Sequence, residues 1–209
     1  MKTLDKLLES IVEQELTMVD EAAKTMKDLN GGGLALFKKH IGNTIEFYLY
    51  DPSKVQEMMT SFTKYNAIDV MVGYLDMKEK PNCDAWIISS AAALRGFGPI
   101  MYTIALSEVS PDYLASDRNL TSDDARRVWD YFYTHRANEF NIKPNGNDCE
   151  HTDATQGEDP ALFHAFSLKR PVKFSQLEQR HLEMWNKLGD DLQKKLTLAG
   201  DWFFYDLYQ

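Results

Sequence analysis

An arginine, two glycines and a proline stand together in LRGFGPIMYTIAL, residues 94–106, between a strand-like run and an apolar, helix-like one. A turn of this kind leaves free backbone N–H groups at the positive end of the following helix, where anionic phosphates bind. Arg95, Gly96 and Gly98 lie in the turn, and Pro99 suits the first helical position. Glycine lets a ligand approach the main chain closely. The same residues would serve equally well as a tight strand-to-helix corner in a packed core. No G-K-[ST] follows and only half of a G-x-G-x-x-G fingerprint is present, which sets aside a P-loop and a dinucleotide turn.

Other chemistry is thinly represented. DCEH puts Asp148, Cys149, Glu150 and His151 side by side, with His164 the nearest further histidine, but a zinc site needs ligands that converge from separate elements. No metal is therefore expected. No G-x-S-x-G elbow is present, and neither Cys83 nor Cys149 pairs with a histidine in a recognisable way, so hydrolase readings are poor. A formal net charge of -9 without a local basic cluster argues against broad nucleic-acid binding. Two cysteines far apart make a disulfide framework an unfavoured reading and a reducing compartment the simpler one. The acidic N-terminal segment has neither a secretory nor a transit pattern. No apolar run approaches the ~20 residues of a membrane span. A soluble, cytoplasmic protein without membrane contact is the expectation.

The elements that must position the turn can be read from periodicity. Leu4, Leu8, Val12, Leu16, Val19, Ala23 and Met26 recur at helical spacing, so residues 3–28 read as an amphipathic helix ended by NGGG. GLALFKKH and NTIEFYLY have strand composition and meet at Ile41-Gly42 as a hairpin. Residues 54–65 are ambiguous between strand and helix. Residues 67–77 and 86–93 read as strands around the polar turn KEKPNCD, and the second ends in small side chains that leave room beside the backbone. A short strand over 111–117 precedes a helix over 121–136, with Thr121 or Ser122 as its cap. Residues 141–160 read as a long acidic loop and 161–168 as a strand. Residues 174–198 form one or two helices broken at Gly189, and the aromatic WFFYDLYQ should dock on the body.

The order of these elements, with R-G-F-G between a strand and a helix, resembles the core of the GNAT acyltransferases over roughly residues 34–136. Arg95 and Gly98 match the first and fourth positions of that family's Q/R-x-x-G-x-G/A motif, and Ala125, Val128 and Trp129 match a later segment. GFGPIMY and SDRNLTSDDARRVWDYF carry a closer similarity to divergent members that bacteriophages encode. The resemblance implies an α/β (α+β) fold: a central mixed sheet flanked by helices, with an N-terminal amphipathic helix over 1–29 and the core over 30–140. The acidic loop over 141–160 and a C-terminal strand with a helical extension over 161–209 complete the same domain. It implies acetyl-CoA or another acyl-CoA as cofactor, contacted by Leu94, Arg95, Gly96, Phe97, Gly98, Ile100, Met101 and, past the next strand, Arg118, with Arg126 and Arg127 nearby.

Acyl transfer to an amine needs an acid for the leaving thiolate and a base for the amine proton. Tyr102, Tyr131 and Tyr133 are the candidate acids, since the family's usual tyrosine position holds Trp129. Glu46, Asp69, Asp76 and Asp84 are candidate bases. Pro99 has no N–H to donate and Ile100 stands where the family has Gly or Ala, so cofactor binding is expected to be weakened or lost. Two functions follow. One is an acyl-CoA-dependent N-acyltransferase with an unidentified amine acceptor. The other is a degenerate GNAT-like module of a phage virion or of a host interaction, with a second copy or a phage or host protein as partner.

Overall fold

The computed structural model describes residues 33–60, 67–94, 97–117, 121–145, 160–196 and 198. The helix expected over 3–28, the DCEH motif and the aromatic tail lie outside the described residues.

Strands β1 (Ala35–Ile41) and β2 (Thr44–Tyr50) form the expected hairpin, with Gly42 at the turn in a left-handed conformation, φ 59°. That geometry suits a residue without Cβ. The ambiguous stretch resolves as helix α1 (Pro52–Thr60). Asp51 caps it, its Oδ1 accepting the Ser53 N–H at 2.9 Å, and Pro52 gives up no hydrogen bond at the first position.

After a 3-10 turn over Ala67–Val70, β3 (Met71–Lys80) and β4 (Ala85–Ala93) run antiparallel. Helix α2 (Gly98–Val109) follows the R-G-F-G turn, then β5 (Leu114–Ser116) and helix α3 (Asp123–His135). Ser122 is the cap of α3, its Oγ accepting the Ala125 N–H at 3.3 Å. β6 (Phe140–Pro144), a 3-10 turn over Pro160–Phe163, β7 (His164–Leu168) and α4 (Ser175–Trp185) complete the order. A further helical stretch begins at Asp190, beyond the break at Gly189. The long loop expected from 141 is thus shortened by a strand. Phe140 is buried and Ile142 half-buried, an alternation that Asn141 and Lys143 mask in the sequence.

Among the described residues one mixed sheet holds seven strands in the order β1-β2-β3-β4-β5-β7-β6. Every neighbouring pair is antiparallel except β4 and β5. α2 and α3 cover one face, where Trp129, Phe132, Ile104 and Phe166 join Phe47, Leu49 and Leu75 in the main core. α2 reads apolar all round in the sequence because it is buried nearly all round. It also comes close to β3, where a Cβ on Gly73 would meet Met101 Sδ at 2.7 Å. α1 and α4 cover the other face over Tyr48, Tyr50 and Tyr74. No helix among the described residues is long and apolar enough to cross a membrane.

Cys83 is disulfide-bonded, which corrects the expectation of a chain without disulfides and removes the ground for a reducing compartment.

Candidate functional site

β4 and β5 are the one parallel pair among the described strands, and they pair only briefly: Trp86 with Leu114, Ile87 with Ala115, Ile88 with Ser116. β4 then continues to Ala93 while β5 has ended. The chains part, and a cleft of about 340 Å³ opens between them. Ser89, Ser90 and Ala91 form its β4 wall, Ser116 its closed end, and Tyr102 of α2 with Trp129 of α3 its floor. The carboxyl ends of neighbouring parallel strands are where open sheets bind ligands, since the crossover helix starts there and aims its free amides inward.

The small side chains that the sequence places at the end of β4 leave this space. β4 also carries a bulge: Asp76 pairs with Ser90 but Met77 with Ile88, so Ser89 is an extra, exposed residue. Beyond it the side chains of β4 exchange faces. Ser90 consequently joins a polar row across the sheet, Lys39–Glu46–Asp76–Ser90, on the face opposite α2. Within it Lys39 Nζ lies 3.4 Å from Glu46 Oε2, which also accepts the Tyr48 hydroxyl at 2.6 Å. Burial holds the Asp76 carboxyl above the usual carboxylate range, the neighbouring Glu46 charge adds to the rise, and hydrogen bonds from Ser90 oppose it.

The expected site residues separate into distinct groups. Arg95, Gly96 and Arg118 lie outside the described residues. Leu94 is exposed, with its N–H donated to the Val72 carbonyl at 2.9 Å, while Phe97 and Gly98 are half-buried at the start of α2. A Cβ on Gly98 would meet nothing within 4 Å, so the helix start is open to approach. Ile100 and Met101 are instead core residues, 2% and 1% exposed, because the inner face of an apolar helix packs on the sheet. Their side chains are not at the turn, and the Met101 N–H is taken by the Phe97 carbonyl at 3.3 Å.

Of the three tyrosines only Tyr102 lines the cleft, edge-on to Trp129 with ring centroids 5.6 Å apart. Tyr131 faces solvent, stacks on His135 and accepts a hydrogen bond from Arg136 Nε at 2.9 Å. Tyr133 packs against His164, 4.7 Å between centroids. Both belong to the outer part of α3. Among the carboxylates, Glu46 and Asp76 face each other across β2 and β3. Asp69 is exposed in the turn before β3, and Asp84 is exposed and paired with Lys143. Arg126 and Arg127 are exposed on α3, where Arg126 Nε donates to the Thr121 carbonyl at 3.3 Å.

No protein-family model, curated protein or solved structure matches the chain. No group of three or more His, Cys, Asp or Glu side chains that could hold a metal ion occurs among the described residues. The residues that sequence reasoning missed are Ser116 and Ser90. A serine at a strand end carries no local signal; the pairing that puts Ser116 beside Ile88 is what gives it a place.

Proposed function

We propose that the chain is an acyl-CoA-dependent N-acyltransferase with a GNAT-like fold, transferring an acyl group to an amine. The observation that carries this reading is the parting of β4 from β5, which supplies a slot for a linear arm; the start of α2, at the carboxyl end of β4, would take its phosphates. The strand order, with its single parallel pair, supports it as well. The fit is reasonable. Ile88 to Ala93 spans about 16 Å at about 3.3 Å per residue, room for an extended arm. Ile100 turns into the core and so does not crowd the turn.

Acyl-CoA would supply the activated acyl carbon and a thiolate as leaving group. Tyr102 stands in the cleft as hydrogen-bond donor to that sulfur. Asp76 lies on the sheet face opposite α2 and reaches the cleft only through Ser90, which hydrogen-bonds it, so the proton that the amine gives up as the new C–N bond forms and the C–S bond breaks would pass to Asp76 by way of that β4 wall. Glu46 beside it favours a cationic acceptor. One finding favours the alternative of a virion or host-interaction module: the disulfide at Cys83 is out of place in the reducing compartments where acyl-CoA is met.

Calorimetric titration of acetyl-CoA and CoA separates the two. The enzyme reading expects binding of both by the wild type and its loss in Gly98→Trp, which adds bulk at a helix start where a Cβ would meet nothing within 4 Å. No binding by the wild type at millimolar concentration ends the enzyme reading.

A further inference from the structure

Ser116 is the last residue of β5 and sits where the two parallel strands separate. It is 4% exposed, and its Oγ is a buried hydroxyl without a hydrogen-bond partner among the described residues. Buried polar atoms are nearly always satisfied, so an orphan on the wall of a cavity marks a place where a ligand atom belongs. Three other hydroxyls of the cleft are already committed, Ser90 among them on the opposite face of the sheet. Thr121 Oγ1 donates to the Asp117 carbonyl, Ser122 Oγ accepts the Ala125 N–H, and Ser90 hydrogen-bonds Asp76. The cleft around it is mixed: Ile88 of β4 and Ala125 and Trp129 of α3 are apolar, while Asp117, the next residue, also lines it.

The geometry points to Ser116 as the residue that holds the thioester carbonyl oxygen, its Oγ–H donating to that oxygen at the closed end of the cleft. This rests on the acyltransferase reading and adds an orientation to it. A linear ligand that enters at the carboxyl end of β4 and runs along the strand reaches Ile88 and Ser116 about 16 Å further on. Tyr102 lines the same space, and Ser90 links it to the acidic row. A hydroxyl here donates without ionising and polarises the carbonyl toward attack. The role is positional: the serine forms no covalent bond and gives up no proton.

The test compares wild type with Ser116→Ala, using acetyl-CoA and CoA as probes in calorimetry and melting of the ligand-free protein. Ser116→Ala should weaken acetyl-CoA about five- to tenfold, the size of one neutral hydrogen bond, and CoA less than about twofold. The ligand-free variant should melt at the wild-type temperature or above it, since an unsatisfied hydroxyl has been removed. Equal effects on the two ligands, or none, overturn the assignment while leaving the acyltransferase reading standing. A lower melting temperature of the free variant overturns it too, because Ser116 would then have a structural partner. A wild type that binds neither probe brings down the acyltransferase reading, and the Ser116 assignment with it.

Discussion

Acidification should loosen the helix that covers the aromatic face before any carboxylate-driven unfolding begins. His181 of α4 is 6% exposed, with Nδ1 2.8 Å from the Tyr50 hydroxyl. Its ring is stacked on Phe37 and Trp185 with centroids 4.6 and 5.0 Å away. Burial lowers its pKa from 6.5 to about 4. The unfolded chain takes up this proton near pH 6.5 and the folded chain only near 4. The stability contribution is therefore intact above pH 6.5, is lost as the pH falls through that window, and is gone below it. At about 1.4 kcal/mol per pH unit the loss is at most about 3.5 kcal/mol, and relaxation around the charged ring reduces it to roughly 2 kcal/mol. For a chain of this size that lowers the melting temperature by about 4–8 °C. Urea unfolding at half-unit steps from pH 7 to 4, on wild type and His181→Phe, isolates the effect, because every other group is common to both. The phenylalanine variant loses the bond to Tyr50 at all pH values but should lack the slope. Parallel curves for the two proteins between pH 6.5 and 4.5 would refute the reasoning.

Asp76→Asn should raise the melting temperature of the free protein by about 1–3 °C, since a carboxylate held above its usual range by burial opposes folding at neutral pH. The same variant should lose acyl transfer while keeping its affinity for CoA; a destabilised Asp76→Asn would contradict the burial argument. Maleimide labelling in denaturant without reductant should leave Cys83 unmodified, and labelling after reduction should modify it. Modification of Cys83 before reduction would reinstate the reducing-compartment reading.

Local patterns in the sequence carried much of the frame. The hairpin of β1 and β2, the strand WIISSAAA and the capped helix α3 all follow from periodicity and from single residues such as Gly42 and Ser122. What stayed hidden was pairing between distant segments. Nothing near Phe140 announces that NIKP lies beside β7, since its polar residues outnumber its buried ones. Glu46 and Asp76 could be named as candidates but not joined, because their adjacency is a matter of strand register. Ile100 and Met101 were assigned to the turn by motif position, whereas helix orientation turns them to the core. Tyr102 differed from Tyr131 and Tyr133 only once the face of each helix was known.

The extra residue in β4 has a wider meaning. β4 must satisfy two neighbours that are out of phase: β5 along its first half, and the acidic row of β3 along its second. Ser89 acts like a single inserted letter that shifts the reading frame between them. Point substitutions elsewhere on the strand alter one surface or the other. Deletion of Ser89 would instead force a choice, either keeping the pairing with β5 or keeping Ser90 against Asp76. The sheet's architecture and its chemistry are separable at that one position, by a change in length rather than in residue type.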